Sequence, residues 1–419
     1  MKRAVVVICD GLRADMVTPA LTPNLCRIAA AARTFTRHRS VFPSTTRTTS
    51  ASLATGCLPG RHGLDGNCVA LDEGRGLTVM SAGPPEFRDR LRKATGRTLR
   101  VPTLAEWLEN DGGCIVYSNV SAGAAYFQDP DGHGWMYHRQ GSFAPGLRKL
   151  PAGEGLAVSH DAAGDAAMTT RFIADALGGR KPRLAVLWQC EPDHTQHARP
   201  LGSPDHKAAI AAADVNAGRV ADAVAGAADG DDVLLIVASD HGHETVERIV
   251  RLETLLVGAG LKDGEDSTEV VVASNGFGAN LYVADAARGR LGAICRFLEG
   301  RDEIEGVYAG DALADLGHRT DTALAIAVTA RRSDADNEFG WPGMSVAFDN
   351  PLATDSVVGC GQHGGLGPFE QNPFLIIRGG AFKAGRTDAA SSAIDVAPTI
   401  MAHLGLPFAG LDGKPLLVA

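Results

Sequence analysis

Short runs of apolar residues recur along the chain, each about the length of one buried strand. Five of these runs, rich in Val, Ile and Leu, occupy residues 4–9, 114–120, 184–190, 233–239 and 373–378. Alanine-rich stretches with helical spacing lie between them, notably at 161–177 and 207–228. Because continuous apolar strands alternate with helices, the pattern predicts an α/β fold with a mostly parallel central sheet covered on both faces.

The pattern changes between about residues 251 and 348, where shorter apolar runs at 270–273, 279–283 and 323–329 are separated by turns bearing Gly and Asp. These runs predict a small α+β insertion. We therefore predict a core formed by residues 1–250 and 357–419, and a cap insertion formed by residues 251–356. The segment 67–153 reads as rich in loops and carries several aromatic residues, including Tyr126. Long insertions often form lids, so both segments are candidates for substrate selection.

Composition and charge narrow the range of partners. The 419 residues are 45% hydrophobic and 21% charged, and the net charge is −9. An acidic surface attracts neither a nucleic-acid backbone nor an anionic membrane, so we expect a small-molecule partner rather than a nucleic-acid polymer or a membrane. No apolar run in the sequence approaches the roughly 18 residues that span a bilayer. The sequence leaves a homodimer open.

The first ten residues superficially resemble a signal peptide. Their apolar run is too short, however, and no small-residue cleavage site follows it. We interpret this run as a buried first strand and expect a cytoplasmic protein. The eight cysteines are scattered without a Cys-x-x-Cys pair, so we expect them to be reduced and mostly buried.

Residues that can bind a divalent metal begin where three of the predicted strands end, at Asp10, Glu191 and Asp240. Open α/β sheets place their sites at the carboxyl ends of strands. Asp193 and His197, four residues apart, would share one face of a helix. An isolated Asp-x-x-x-His pair is usually exposed to solvent on a helix. The prediction of a metal site therefore rests on all the candidate ligands occurring together in this order. Carboxylate and imidazole ligands without a required thiolate suit zinc or manganese.

A hydroxyl-rich run at residues 43–52 precedes a predicted helix that ends at Gly56. Any one of its Ser and Thr residues could simply cap that helix. A nucleophile at such a helix N-terminus would instead have its phosphoryl intermediate stabilised by backbone N–H groups and the helix dipole. A metal would favour the alkoxide by lowering the hydroxyl pKa.

Read together, these segments resemble the alkaline phosphatase superfamily, and most closely its type I phosphodiesterase/nucleotide pyrophosphatase family, a relative of phosphonoacetate hydrolase. The matching motifs are DGLRAD (10–15), TPNL (22–25), the run 46–64 with TGCLPGRHGL, EPD with His197, SDHG (239–242), His363-Gly364, DVAPTI (395–400) and LDGKPL (411–416). The resemblance implies an alkaline-phosphatase-like three-layer sandwich and a metal-dependent phosphoric ester hydrolase.

Site residues are carried over from the resemblance motif by motif. It implies two Zn²⁺ ions per chain, with Mn²⁺ as the alternative metal. One ion would be held by Asp193, His197 and His363, and the other by Asp10, Asp240, His241 and the nucleophile Thr46. Asn67 matches the asparagine that helps to hold a non-bridging phosphoryl oxygen. The implied mechanism is a double displacement through a phosphothreonine at Thr46.

Arg47-Thr48-Thr49 departs from the aromatic residue, proline and asparagine that usually follow the family's nucleophile. The missing aromatic ring removes a platform for a nucleotide base, so nucleotide specificity is left open. Arg47 could bind the extra charge of a phosphomonoester or a carboxylated phosphonate, or could be a surface cation at the helix start. With Asn67 and Tyr126 it forms our set of candidate substrate-binding residues.

Several alternatives follow from these features. A phosphonate or phosphomonoester hydrolase is the second enzyme candidate, although the lysine pair of phosphonoacetate hydrolase has no counterpart in residues 118–126. A metal-binding pseudoenzyme is the alternative from another class, and the complete set of ligands argues against it. Residues 57–61 resemble a sulfatase motif, but Gly60 stands where Ser or Ala is expected. His243 could support a metal ligand, although such a histidine is more often polar surface.

Overall fold

The computed structural model describes residues 1–350, 352 and 356–416. The strands of the described residues are β1 (Arg3–Cys9), β2 (Arg33–Arg39), β3 (Cys68–Asp72), β4 (Leu77–Ser81), β5 (Cys114–Ser118), β6 (Trp135–His138), β7 (Phe143–Ala144), β8 (Arg148–Lys149), β9 (Leu184–Gln189), β10 (Val233–Ala238), β11 (Glu244–Val250), β12 (Val270–Asn275), β13 (Gly278–Val283), β14 (Ile304–Ala309), β15 (Leu324–Ala330), β16 (Arg332–Asp336), β17 (Pro342–Phe348), β18 (Gly361–Gln362), β19 (Leu375–Arg378) and β20 (Gly385–Ser392).

The α-helices are α1 (Pro23–Ala30), α2 (Thr46–Thr55), α3 (Pro59–His62), α4 (Phe87–Thr95), α5 (Leu104–Leu108), α6 (Ala122–Tyr126), α7 (Ala162–Phe172), α8 (Asp193–Gln196), α9 (Pro204–Ala225), α10 (Leu252–Gly258), α11 (Leu291–Glu299), α12 (Asp311–Asp315), α13 (Pro368–Gln371) and α14 (Val396–Leu404). A π-helical segment, Ile173–Gly179, continues α7. Short 3₁₀ turns cover Ala14–Met16, Gly230–Asp232, Asp285–Arg290 and Ala393–Asp395. None of these helices combines the length and the apolar character that crossing a lipid bilayer requires.

The main sheet has ten strands in the order β20-β2-β19-β10-β1-β9-β5-β6-β7-β8. Strands β10, β1, β9, β5 and β6 form a parallel block, and all five strands predicted from the apolar runs lie in this sheet. One of them, β19, runs antiparallel to β10. The sheet is therefore mostly parallel, which confirms the predicted fold class.

Both faces of the parallel block are buried, as the continuous apolar runs require. On β1, Val5 and Val7 pack on one face with α1, α7 and α9, while Val6 and Ile8 pack on the other with α5, α6 and α14. The helices form two outer layers around the sheet. This arrangement is the expected three-layer sandwich.

The predicted insertion contains an antiparallel sheet of its own, in the order β12-β13-β15-β14. The three apolar runs predicted there lie on β12, β13 and β15, and α10 and α11 pack against them in a separate apolar cluster. Strand β11 pairs in parallel with β17, which ties the insertion to the core. The limits at 250/251 and 356/357 stay predictions, and residues 351, 353–355 and 417–419 of the two predicted units lie outside the described residues.

The segment 67–153 holds more regular structure than its sequence suggests. It contains the β3–β4 hairpin, three helices (α4, α5 and α6) and the sheet strands β5 to β8. Strands β7 and β8 have two residues each, so they are too short for a detectable alternation of apolar and polar positions.

Candidate metal centre and active site

Neighbouring strands bring acidic residues to one edge of the main sheet. Asp10 directly follows β1, and Asp240 follows β10 after Ser239. Because β1 and β10 are parallel and in register, their carboxyl ends meet at this edge. Strand β9, on the other side of β1, leads through a short loop to Asp193 at the start of α8. The topology therefore gathers three carboxylates.

Asp10, Asp240, His241 and Thr46 form a cluster that we call the inner site. The Nε2 atom of His241 lies 3.5 Å from Asp10 Oδ1 and 3.2 Å from Asp240 Oδ2. The same nitrogen lies 3.1 Å from Thr46 Oγ1. The side chains of Asp10, Asp240 and His241 are at most 1% exposed, and Thr46 is 8% exposed. Four donor atoms thus face one another in the interior.

The donor atoms of the inner site fit a tetrahedral divalent metal. Zinc–ligand bonds of about 2.0–2.2 Å at tetrahedral angles place neighbouring ligand atoms roughly 3.3–3.6 Å apart. Asp10 Oδ1 and Asp240 Oδ2 are buried and have no hydrogen-bond partner among the described residues. Their second oxygens are held, since Asp10 Oδ2 accepts from Trp188 Nε1 at 3.0 Å and Asp240 Oδ1 from Gly11 N at 3.1 Å. Buried oxygens left free in this way suit a bound cation.

Asp193, His197 and His363 form a second cluster, the outer site. Asp193 begins α8, and His197 follows its last residue, so one helical turn brings both side chains together. Asp193 Oδ1 lies 3.3 Å from His197 Nε2 and 3.7 Å from His363 Nε2. His363 Nδ1 donates to the backbone oxygen of Ser44 at 2.7 Å, which turns Nε2 toward the cluster. Among the described residues, the ligand atoms that lie within 4.8 Å of one another are those of Asp193, His241, His243 and His363, and those of Asp10, Asp240 and His241, so His197 contacts Asp193 at the margin of the cluster.

Burial opposes ionisation of the carboxyl groups gathered at these sites. Burial, reinforced by Asp240 and Asp193, raises the pKa of Asp10 well above its usual range. Burial also raises the pKa of Asp240. Burial opposes ionisation of Asp193 as well, but His197 and His243 outweigh it and hold the pKa of Asp193 well below its usual range. A divalent cation would stabilise the ionised forms of Asp10 and Asp240.

The hydroxyl-rich run places Thr46 against the inner site. Thr46 is the first residue of α2, so its side chain lies at the helix N-terminus. Ser44 Oγ instead donates to Glu370 Oε2 at 3.0 Å, and Thr45 Oγ1 donates to Thr48 Oγ1 at 2.9 Å. These contacts occupy the neighbouring hydroxyls in structural roles and leave Thr46 facing His241.

Arg47 and Asn67 are joined beside Thr46. The backbone N–H of Arg47 donates to Asn67 Oδ1, and Arg47 Nη1 donates to the Asn67 backbone oxygen, both at 3.1 Å. Arg47 Nε donates to Ser121 Oγ at 3.1 Å. Because Asn67 Oδ1 is engaged, the amide NH₂ of Asn67 is left to donate elsewhere. The Arg47 side chain is partly buried between these partners rather than a surface cation, and burial lowers its pKa.

A cleft of about 300 Å³ opens over both sites, lined by Thr46, Arg47 and Asn67 on one side and by His194, His197 and His363 among others. Grooves of about 510 and 630 Å³ lie elsewhere, and none of the predicted ligands lines them. The donor chemistry, rather than the largest volume, therefore identifies the candidate active site.

Tyr126 lies outside this cleft, in contrast to our expectation that it binds substrate. Its hydroxyl donates to the Gly141 backbone oxygen at 3.1 Å, and its ring lies under Arg88 and against Phe143. The side chain is 1% exposed. Helix α6 turns this residue toward β6 and β7, where it packs in the core.

Three buried residues support the sites, and only one of them, His243, was considered for such a role from the sequence. Trp188 holds Asp10, and His243 Nε2 lies 2.8 Å from Asp193 Oδ1, so His243 is interior rather than polar surface. Asp165 accepts from the backbone N–H groups of Cys190 and Glu191, which fixes the loop before Asp193. In the sequence, the second histidine of Asp240-His241-Gly242-His243 was the one local feature that indicated a supporting residue. The other two contacts join distant segments that no spacing rule connects.

Comparisons with known proteins agree with this geometry. The sequence model of a family described as type I phosphodiesterase / nucleotide pyrophosphatase matches residues 4–312. Murine ectonucleotide pyrophosphatase/phosphodiesterase 5, solved as an inactive variant in complex with AMP, is similar with a TM-score of 0.70 at 19% identity, over 99% of this chain and 98% of that one. A second murine structure gives 0.70 at 18% identity, again over 99% and 98%, and the human protein 0.68 at 17%, over 99% and 97%. No curated protein matches the sequence. At these identities the structures establish the fold.

Proposed function

We propose a function from one premise: this chain belongs to the type I phosphodiesterase / nucleotide pyrophosphatase family. Membership makes it a metal-dependent phosphoric ester hydrolase. The finer proposal is that it cleaves a phosphodiester or an organic pyrophosphate through a phosphothreonine at Thr46, with two Zn²⁺ ions per chain. The observation that carries this proposal is the 3.1 Å contact of Thr46 Oγ1 with His241 Nε2 inside the inner site.

The chain's own residues provide each step of the double displacement. Thr46 Oγ forms a bond to phosphorus while the bond to the leaving oxygen breaks, and the Thr46 hydroxyl proton ends on the leaving oxygen; water then cleaves the bond from Thr46 Oγ to phosphorus, which restores the Thr46 hydroxyl and releases the phosphoryl product. Thr46 sits at the N-terminus of α2, where backbone N–H groups and the helix dipole favour the negative phosphoryl group. The amide NH₂ of Asn67 is placed to donate to a non-bridging oxygen.

Two groups of residues would hold the metal ions. Asp10, Asp240, His241 and Thr46 would bind one ion, and Asp193, His197 and His363 the other. Bound divalent metal would supply a lower pKa for the Thr46 hydroxyl and stabilise charge on the leaving oxygen. Oxygen and nitrogen donors at these separations suit Zn²⁺, with Mn²⁺ as the alternative.

A small substrate suits the cleft of about 300 Å³ over the two sites. The murine relative was solved with AMP bound and as an inactive variant in which a threonine is replaced by alanine, which supports a nucleotide-sized ligand and a threonine nucleophile. A second candidate is hydrolysis of a phosphomonoester or a phosphonate. It is favoured by Arg47, a cation in the cleft wall where the family usually has an aromatic ring.

A metal analysis combined with a substrate panel tests this proposal. The purified protein should contain close to two ions per chain, and one or none in a folded sample would contradict the dinuclear assignment. The panel compares p-nitrophenyl phosphate, a nucleotide p-nitrophenyl ester, a dinucleotide and phosphonoacetate by kcat/KM. The proposal expects the nucleotide ester or the dinucleotide to be the best substrate. Two bound ions without turnover of any member would indicate a pseudoenzyme.

A further inference from the structure

His243 is a fully buried histidine directly behind the outer site. Its Nε2 lies 2.8 Å from Asp193 Oδ1, and its backbone oxygen accepts from Arg13 Nη1 at 3.3 Å just before β11 begins. We infer that His243 is a positioning residue: its Nε2–H orients the Asp193 carboxylate toward the metal, and His243 does not itself bind the metal. The inference rests on the proposed function.

Two glycines leave room for the His243 ring. A Cβ at Gly11 would lie 2.8 Å from His243 Nε2 and 3.0 Å from Asp193 Cβ, and the φ of +70° at Gly11 suits glycine. A Cβ at Gly361 would lie 2.8 Å from His243 Nδ1. Ordinary side chains do not approach so closely. Glycine at both positions therefore leaves the space that the His243–Asp193 contact needs.

The distances separate a hydrogen-bond donor from a metal ligand. Two ligand atoms on one tetrahedral zinc lie roughly 3.3–3.6 Å apart. His197 Nε2, at 3.3 Å from Asp193 Oδ1, matches this value, and His363 Nε2, at 3.7 Å, lies just beyond it. The 2.8 Å separation of His243 Nε2 is shorter and is typical of a charge-assisted N–H···O hydrogen bond.

A direct ligand role for His243 is the competing assignment. The ligand atoms of His243, Asp193, His241 and His363 all lie within 4.8 Å of one another, so a shifted ion could reach it. The two roles differ in what replaces the imidazole. A glutamine amide can donate an N–H near the position of Nε2, and its only lone pairs for a metal are on the carbonyl oxygen, which points away from Asp193 when the NH₂ group faces it. Methionine fills similar space without an N–H donor.

The experiment compares His243→Gln with His243→Met. Zinc affinity and stoichiometry are measured by competition with a chromogenic chelator and by elemental analysis. Loss of a partner that orients a metal ligand costs about 10–100-fold in metal affinity. We therefore expect His243→Met to lose about that much at one site, and His243→Gln to stay within about threefold of wild type. The matched control is His38→Met: His38 is a buried histidine of β2, hydrogen-bonded to Ser391 of β20, and its replacement should leave metal affinity unchanged.

Each outcome decides between the roles. Equal losses in both variants would make His243 a ligand, and no loss in either would make it a packing residue; both overturn the inference. If His243→Met does not fold, ¹⁵N-histidine NMR of the zinc-loaded wild type gives the answer. A proton on His243 Nε2 supports the donor role, and a metal-bound Nε2 excludes it. A wild type that binds no zinc would instead refute the proposed function.

Discussion

The inner and outer sites use the same donor types but are held in different ways. Asp10 and Asp240 of the inner site follow central strands, and their side chains are at most 1% exposed. Asp193 and His197 of the outer site lie on a single helical turn, with side chains 18% and 12% exposed. The inner site is thus an extension of the core, whereas the outer site faces the cleft.

In the proposed double displacement, this difference would give the two sites unequal tasks. The proposed nucleophile, Thr46, must be held in one orientation before substrate arrives, and its contact with the buried His241 would provide that rigidity. The leaving group and the incoming water must exchange with solvent, and the outer site would offer that access. The variants below test whether the division is real, beginning with the largest expected effect.

Removing the proposed nucleophile should separate catalysis from metal binding. Thr46→Ala should lower kcat/KM at least about 10³-fold on every substrate, because no neighbouring hydroxyl faces the inner site. Metal content should stay near wild type, since three protein ligands remain. Thr46→Ser should recover part of the activity. Retained activity in Thr46→Ala would move the nucleophile to Thr45 or Thr48, and Thr48→Ala would then be the decisive variant.

Replacing one carboxylate by an amide should change the Tm of the metal-free protein in opposite directions at the two sites. Burial raises the pKa of Asp240 in the folded chain, so metal-free stability is favoured in acid and falls as pH rises through that raised pKa. Asp240→Asn should therefore raise the Tm of metal-free protein at pH 7.5 by on the order of 2 °C. The gain should shrink as the pH is lowered.

Asp193→Asn is the matched variant at the outer site. The pKa of Asp193 is held low by its histidines, so its ionised form stabilises the metal-free fold above the unfolded pKa, and this contribution is lost as pH falls. The Tm of metal-free Asp193→Asn should therefore fall at pH 7.5, and each variant should retain about one ion per chain. Equal shifts of the same sign, measured by calorimetry after chelation, would contradict the difference between the sites.

The features of the fold that can be predicted from the sequence are the local and periodic ones. The five apolar runs of the main sheet are visible because strands buried on both faces have no polar positions to interrupt them. The direction of β19 is not visible, because an apolar run of four residues reads the same in either direction. The six predicted ligands came from the order of motifs, and the fold brings them together. Trp188 and Asp165 could not be found, since hydrogen bonds that span 178 positions (Trp188 to Asp10) or 25 positions (Cys190 to Asp165) leave no spacing to detect.

Loss of the support behind the inner site should have a moderate effect. Trp188 Nε1 donates to Asp10 Oδ2 at 3.0 Å, so Trp188→Phe leaves this oxygen without its donor inside the core. We expect inner-site zinc affinity to fall about 10–100-fold, with the outer site unchanged. Trp135→Phe, on β6 beside Tyr137, controls for loss of an indole. Chelator titration that shows one weakened site in Trp188→Phe alone would support the assignment of Trp188 to the inner site. Equal weakening of both sites would contradict it.

The smallest and most selective effect is expected in the cleft wall. Arg47 is fixed by Ser121 and Asn67, so its charge can act on a substrate group without first being ordered. If it binds a second negative charge, Arg47→Ala should lower kcat/KM about tenfold for p-nitrophenyl phosphate and phosphonoacetate but less than about threefold for the nucleotide ester. Arg47→Lys keeps the charge but loses the planar, forked guanidinium, so its kcat/KM for the phosphomonoester and the phosphonate should lie between those of wild type and Arg47→Ala. An equal loss on all substrates would make Arg47 a structural support of Asn67 with no direct part in the choice of substrate.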